Sequence, residues 1–179
     1  MPRAPSTRKE QILEIAERHF ADHGFAGASL SAIARDCDIG NPGLLHHFPS
    51  KELLYRAVLE VQAHDLMARM QTLLDQHADA ADRLQGFIDL QLAWMRARPV
   101  GARLIVRELL DNTERIATAQ AKPLEGFVRE SLGLIESAQH ARLVRSDVRP
   151  LVLLTMVLGS LNYAHMVRPT FHQVLGDAQ

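Results

Sequence analysis

Glycine, proline and short polar turns divide the first 54 residues of this chain into brief apolar segments. The breaks fall at Gly24, at Asp38-Ile39-Gly40 and at Pro49-Ser50. Between them, apolar residues recur at three- and four-residue steps, which is the period of an α-helix. Helices this short are marginal in water on their own, so they must pack on one another. The pattern predicts a compact unit of three helices at the N-terminus.

Each predicted helix begins at a residue suited to that position. Thr7-Arg8-Lys9-Glu10 has the capping-box pattern and predicts a first helix from Thr7 to His23. Ser29 is a good N-cap for the second helix. Gly40-Asn41-Pro42 restarts the chain as a third helix, and Ser50 caps a long fourth one.

The helical period continues beyond residue 75, with weaker capping signals. Predicted helices there include Val100–Leu110, Ile116–Ile135 with Pro123 inside or at its true start, Ser146–Met166, and a short last helix over Pro169–Leu175. No segment alternates with period two over a useful length. The predicted fold class is therefore all-α, with about nine helices.

Composition excludes several classes of protein. Lys plus Arg is 20 and Asp plus Glu is 21, a formal net charge of −1, which excludes a polybasic nucleic-acid-binding tail and an acidic disordered region. The single Cys37 excludes an intrachain disulfide and a cysteine-based zinc cluster. The first residues lack the apolar run of a signal peptide. The apolar stretch Leu151–Leu161 is shorter than the ~20 residues of a membrane span and predicts a buried helix. We therefore expect a cytoplasmic protein without a membrane segment.

The second and third predicted helices, joined by a short turn and braced by the first, have the helix-turn-helix arrangement. In this arrangement a short helix packs one face inward, here through Leu44 and Phe48, and presents its other side to the major groove. The spacing alone is equally compatible with two short helices of an ordinary helical bundle. Residue identities must decide between the two.

Residues 7–54 closely resemble the N-terminal DNA-binding domain of the TetR family of transcriptional regulators. The residues that carry the resemblance are Phe20, Gly24-Phe25, Ser29, Ile33-Ala34, Leu44, His47-Phe48 and Ser50-Lys51-Glu52-Leu53. The resemblance implies a helix-turn-helix DNA-binding domain over residues 1–54 and a helical effector-binding and dimerisation domain over residues 55–179. It also implies a regulator, most often a repressor, that binds an inverted-repeat operator as a homodimer.

The chain departs from the family pattern in the turn and in the third helix. Gly43 stands where the family usually has Thr or Ser, and Leu45 where it usually has Tyr. Asp38 replaces the usual turn glycine, and Gly40 replaces a Ser or Thr cap. These departures affect DNA affinity and sequence preference rather than the fold.

The candidate DNA contacts are polar, basic or small apolar residues around the third helix. Asn41 suits adenine, Pro42 a thymine methyl, and the adjacent histidines base edges or phosphates, although His47 is equally plausible as a packing residue beside Phe48. Ser29 and Lys51 lie at helix N-termini, where phosphate is favoured. Three basic residues form an N-terminal arm that could follow the phosphate backbone of the DNA. The predicted set is Arg3, Arg8, Lys9, Ser29, Asn41, Pro42, His46, His47 and Lys51.

The remaining helices predict a dimer interface and a ligand site. The apolar stripe of the predicted helix from residue 146 is the dimer candidate, although a monomer core would give the same stripe: Leu151, Leu154, Leu158, Leu161 and Met166. The resemblance places a cavity among the central helices, for a small, largely apolar effector. The ligand-site candidates are Trp94, Met95, Phe127, Asn162 and Tyr163, with Arg103 and Arg107 as a clamp for an anion or, more simply, as surface ion-pair partners.

The main alternative is a non-catalytic helical protein-interaction bundle, which would leave the helix-turn-helix without a purpose. A metal-dependent enzyme is the weakest candidate. His19 and His23 have the spacing of a zinc-binding helix but lack the glutamate that follows the first histidine in such hydrolases. We therefore expect no catalytic activity, no metal and no cofactor.

Overall fold

The computed structural model describes residues 7–111, 113–118 and 122–176, and within these ranges it contains helices and no strand. The helices of the described part are α1 (Arg8–Gly27), α2 (Leu30–Asp36), α3 (Asn41–His47), α4 (Lys51–Gln76), α5 (Ala80–Ala97), α6 (Pro99–Asp111), α7 (Thr113–Thr118), α8 (Glu125–His140) and α9 (Pro150–Leu175). The predicted all-α class is confirmed.

The predicted capping residues of α1, α2 and α4 are also confirmed. Thr7 Oγ1 accepts from Glu10 N, and Thr7 N donates to the Glu10 carboxylate at 2.8 Å, which completes the capping box. Ser29 Oγ accepts from Ala32 N, and Ser50 Oγ accepts from Leu53 N at 3.2 Å. These side chains satisfy backbone N–H groups that a helix start leaves free.

Helix α1 extends past its predicted end and bends there. Gly24 has φ +69°, a left-handed conformation that an L side chain rarely adopts, and the helix resumes beyond it to Gly27. A Cβ at Gly24 would also lie 3.1 Å from Arg107 Nη1. Glycine is therefore required at this kink.

One prediction for the C-terminal half is confirmed in its second form and one is wrong. Pro123 marks a helix start rather than a kink, because it lies in the turn before α8, and the residues from Ile116 belong to the separate helix α7. The predicted helices Ser146–Met166 and Pro169–Leu175 are one continuous helix, α9, with Pro169 inside it. Proline removes one backbone hydrogen bond, and here the exposed last turns of α9 allow water to replace it.

By their contacts the residues form two compact units. The first comprises Met1–His64 and Arg103–Leu124, and the second comprises Asp65–Ala102 and Glu125–Gln179. The boundary after residue 54 therefore stays a prediction about function, because the packing of the first unit also includes the start of α4 and most of α6. In that unit, α2 packs on both α1 and α3, around the buried side chains Phe20, Ile33 and Leu44.

The second unit contains the second half of α4 and the start of α6 together with α5, α8 and α9, and the last three helices pack on one another. Its buried residues come mainly from α5 and α8, whereas Leu154 alone is buried among the described residues of α9. The prediction of a buried helix over Leu151–Leu161 is therefore wrong. By length and composition alone, α9 is also the one described helix that is apolar enough to cross a membrane.

Candidate DNA-binding interface and effector domain

Helix α3 presents a mixed polar and apolar surface to solvent. Leu44 is fully buried and Phe48, just after the helix, is 4% exposed, so these two side chains anchor its inner face. The predicted contacts Asn41, Pro42 and both histidines are all exposed. The packing alternative for His47 is wrong, because its side chain points away from the core.

Asn41 keeps most of its hydrogen-bonding capacity. Its Nδ2 donates to Ser31 Oγ at 2.8 Å, which holds the amide against α2. Within the described ranges its second amide hydrogen and its Oδ1 acceptor make no further hydrogen bond, and these are the pair that a bidentate contact with adenine uses. The rings of His46 and His47 lie edge to face with centroids 5.6 Å apart at the C-terminal end of the same helix.

The basic residues lie closer to the protein than a free arm would. Arg8 Nη1 donates to the Cys37 carbonyl at 3.2 Å, and Lys9 Nζ lies 5.6 Å from the centre of the Phe48 ring. Arg8 and Lys9 are exposed residues in the first turn of α1, and their contact with DNA stays a prediction. Arg3 lies outside the described residues.

Lys51 joins the start of α4 to the end of α1. Its Nζ donates to the Ala26 carbonyl at 3.1 Å and lies 5.0 Å from the Phe25 ring centre. An ammonium group has three N–H donors, so this side chain can hold the helix start and still donate to a phosphate. Ser29 is exposed, and its hydroxyl caps α2.

A groove of about 400 Å³ in the first unit is lined by residues of α1 and α2, including the histidine pair of α1. His19 Nε2 lies 2.8 Å from Asp36 Oδ2. The hydrogen bond from His19 lowers the pKa of the Asp36 carboxyl. Among the described residues, no three His, Cys, Asp or Glu side chains are placed to hold a metal ion.

A buried polar cluster that sequence reasoning missed joins α4, α6 and α7 within the first unit. Tyr55 Oη donates to Glu108 Oε2 at 3.0 Å, and the Arg115 guanidinium pairs with the same carboxylate. That guanidinium also lies over the Tyr55 ring, 4.7 Å from its centre. Burial, followed by the nearby Glu108 charge, raises the pKa of the Tyr55 phenol well above its usual range. No local motif announces the cluster, because its members are 53 and 7 residues apart in the chain.

Arg103 and Arg107 form surface ion pairs in the first unit. Arg103 Nη2 lies 2.7 Å from Asp22 Oδ1, with both side chains half exposed. Arg107 Nη1 lies 3.9 Å from Asp111 Oδ2, one helical turn away. The simpler interpretation, surface pairing, fits Arg107, and Arg103 pairs with an acid of α1 that the sequence did not suggest. Their use as an anion clamp has no support in this arrangement.

Three of the predicted ligand-site residues lie in the core of the second unit. Trp94, Met95 and Phe127 are each at most 5% exposed, and Phe127 packs near Phe87 with ring centroids 6.4 Å apart. Trp94 Nε1 donates to Asp65 Oδ2 at 2.8 Å.

The two candidates on α9 do not join this cluster. Tyr163 is 66% exposed, and Asn162 uses its amide to donate to the Leu158 carbonyl one turn earlier. The assignment of Tyr163 to the pocket is wrong, because its side chain points to solvent.

Gln91 is a second residue that sequence reasoning missed. It lies on the buried face of α5, one turn from Phe87, Trp94 and Met95, and is 5% exposed. Its Nε2 has no hydrogen-bond partner within the part of the chain that the structure describes. A buried donor without a hydrogen bond lowers the free energy of unfolding by ~1–3 kcal/mol. A glutamine amide is therefore unusual at this core position. The available signal was a polar residue at helical spacing within an apolar stripe.

The two faces of α9 differ from the predicted assignment. Of the predicted dimer residues, Leu154 is buried within its own unit, and Leu158 and Leu161 are half-buried beside it. Leu154 is therefore a core residue, and its assignment to the interface is wrong. Leu151 is 58% exposed and Met166 is 36% exposed.

An apolar stripe remains exposed on the outer face of α9. Its members follow four- and three-residue steps: Val152, Met156, Gly159, Tyr163 and Met166. A Cβ added at Gly159 would meet no heavy atom within 4 Å, so the backbone is open to close approach there. This set, called the outer stripe below, has the spacing of a helix–helix seam.

Comparison with known families matches residues 12–58 to the family described as "Bacterial regulatory proteins, tetR family". The matched segment covers α2 and α3 and parts of α1 and α4. Its boundaries enclose the helix-turn-helix and the exposed face of α3.

The rest of the chain is similar to known regulators as well. The HTH-type transcriptional regulator RutR of Escherichia coli (strain K12) is 29% identical over 175 residues, which cover 97% of this chain and 81% of RutR. The HTH-type transcriptional repressor SCO4008 of Streptomyces coelicolor is 26% identical over 179 residues, covering 98% of this chain and 88% of that protein. The crystal structure of AibR in complex with isovaleryl coenzyme A and operator DNA has a TM-score of 0.71 at 22% identity, covering 89% of this chain and 86% of AibR, which shows a shared fold.

Proposed function

This chain belongs to the TetR family and is a DNA-binding transcriptional regulator, and from that premise we propose how it works. It binds an inverted-repeat operator as a homodimer, represses transcription there, and leaves the operator when a small, largely apolar ligand binds. It does so in the cytoplasm and catalyses no reaction. The observation that carries the proposal is the exposed face of α3, which lies within the segment that matches the family.

The charge distribution supports sequence-specific rather than bulk electrostatic binding. Residues 10–56 hold four basic residues against seven acidic ones. Salt-dependent attraction to phosphate is therefore limited to a few placed cations, with Lys51 as the best supported. The exposed side chains of α3, above all Asn41, therefore distinguish one base sequence from another.

The outer stripe of α9 supports the homodimer. A helix that is apolar on both sides must bury both, and the core of the second unit covers only the side of Leu154. A second copy of the same helix would cover the other side, and the two helices would approach most closely at Gly159. Two-fold dimers are also the commonest protein oligomers. The polar residues Asn162, His165 and Arg168 along the helix favour this arrangement over a membrane span.

The buried face of α5 supports the ligand. Phe87, Trp94 and Met95 are buried apolar side chains on this face, and the Gln91 amide adds a buried donor with no partner among the described residues. Ligand sites have this form: a mostly apolar wall with a few polar anchors. AibR is described with isovaleryl coenzyme A, and we propose for this chain an effector whose buried part is apolar and carries one uncharged carbonyl.

Helix α6, like α4, contains residues of both units. It begins at Pro99 in the second unit and continues from Arg103 in the first. There, Arg103 contacts Asp22 of α1, and Glu108 accepts from Tyr55 of α4. A ligand that binds better when α6 is displaced would shift the DNA-binding unit toward a state that fits the operator poorly.

A pair of variants tests the DNA-binding assignment. Asn41→Ala should weaken binding to a selected operator by about tenfold to a hundredfold and leave binding to scrambled DNA almost unchanged. Lys51→Ala should weaken both duplexes alike and make the dependence of log Kd on log salt shallower by about one. Fluorescence anisotropy at several salt concentrations measures both effects. An equal loss on both duplexes for Asn41→Ala would remove it as a base reader.

A further inference from the structure

Leu45 is a large apolar side chain that the fold leaves exposed on the candidate DNA-binding helix. It is 41% exposed, whereas its neighbour Leu44 is fully buried. Leu45 lies three residues after Pro42 and four after Asn41, so the three side chains share one side of α3. Pro42 is exposed as well, and together they form an apolar patch beside the amide of Asn41.

Helix α3 itself lacks the residues that read guanine most often. Guanine is read most often by Arg or Lys, and α3 and the turn before it contain neither. Arg35, at the end of α2, is exposed, and its Nε lies 3.7 Å from Asp36 Oδ1. The polar groups left on the outer face are an amide and two imidazoles.

The chemistry of the major groove then identifies what an exposed leucine can recognise. Among the base edges in that groove, thymine alone presents an apolar group, its C5 methyl. We propose that Leu45, with Pro42 beside it, contacts thymine methyl groups and so makes α3 a reader of A·T pairs. This inference rests on the proposed DNA-binding function and assigns a specificity-determining role to a residue that departs from the family pattern.

The proposal requires a methyl-dependent affinity. Full-length protein selects its sites from random duplex DNA, and each thymine of a selected half-site is then replaced by deoxyuridine, which removes only the methyl group. One or two positions in each half-site should lose about threefold to fivefold in affinity, the factor expected for one buried methyl group. In Leu45→Ala the same positions should become insensitive to deoxyuridine, and Leu45→Met should keep the sensitivity.

Leu109→Ala is the matched control, because Leu109 is an exposed leucine, 53% accessible, on α6. It should keep the full response to deoxyuridine. Selected sites that tolerate deoxyuridine everywhere, or a Leu45→Ala protein that still responds to it, would overturn the role of Leu45 while leaving DNA binding intact. Failure to select any sequence would instead overturn the proposed function, and this inference with it.

Discussion

Tyr55 shows how a single buried hydroxyl holds three helices of the first unit. Its ring packs edge-on against Phe20, at 4.7 Å between centroids, and its hydroxyl donates to the Glu108 carboxylate. A buried carboxylate is tolerated only when it is paired and hydrogen-bonded, and Tyr55 and Arg115 together meet that requirement. The phenol therefore has to stay protonated in the folded protein.

This requirement predicts a loss of stability in alkali. In the unfolded chain Tyr55 loses its proton near pH 10, whereas in the fold its raised pKa keeps the proton. The folded state then binds more protons than the unfolded state, so the free energy of unfolding falls as pH rises above ~10. Urea titrations between pH 8 and pH 11 should show a weaker fall for Tyr55→Phe, which at pH 8 is less stable by ~1 kcal/mol.

The measurement at pH 8 supplies the control, because the Tyr55 phenol is protonated there in both the folded and the unfolded chain. If Tyr55→Phe shows the same alkaline loss as the wild type, the titration of Tyr55 does not limit stability.

Among the elements, those with local signals were predictable and those that depend on tertiary partners were not. Capping residues and turn glycines specify α1 to α4 within the chain itself, so their starts were predicted correctly. The bend after Gly24, the division at Pro123 and the continuity through Pro169 depend on how neighbouring segments pack and which turns face water. A sequence pattern carries that information only weakly.

The same distinction separates the two functional surfaces. The exposed residues of α3 could be named from the sequence, because the buried pair Leu44 and Phe48 fixes the helix face. In α9, apolar residues occupy both faces, so the pattern could not tell which face is inward. Leu154, Leu158 and Leu161 lie on the side of the core, whereas the exposed outer stripe keeps only Met166 of the predicted residues.

This reassignment makes a prediction about α9. Met156 is 61% exposed, so Met156→Arg should fold normally and yet place an unpaired cation in the dimer seam. The dimer Kd should rise by at least about a hundredfold. Sedimentation velocity at micromolar concentration measures this. Leu110→Arg, at a 73% exposed position of α6, should remain dimeric; a dimeric Met156→Arg protein would place the interface elsewhere.

At the scale of the whole molecule, a ligand-binding role for α5 requires that part of the second unit be poorly optimised for stability. The buried Nε2 donor of Gln91 makes no hydrogen bond to any described residue. Gln91→Leu removes this unmade bond and should raise the free energy of unfolding of the ligand-free protein by ~1 kcal/mol. Chemical unfolding measures the change, and Gln85→Leu, an exposed position on the same helix, should leave stability nearly unchanged.

The same variant should lose the preference for a ligand that carries a carbonyl group. A fragment pair matched in shape, acetophenone and ethylbenzene, differs by one carbonyl. In the wild type acetophenone should bind more tightly, and in Gln91→Leu that preference should disappear, as followed by Trp94 fluorescence or calorimetry. A Gln91→Leu protein that is less stable and keeps the preference for the carbonyl would show that Gln91 is a structural residue.

The central claim is that two copies of this chain read two related half-sites of one operator. Selection of the intact protein on random duplex DNA, followed by sedimentation of the complex, measures sequence and stoichiometry together. The predicted result is an inverted repeat whose half-site centres are about 10 bp or a multiple of that apart, bound by two chains or a whole number of pairs. An enriched site without two-fold symmetry and bound by one chain, or no enrichment at all, would contradict it.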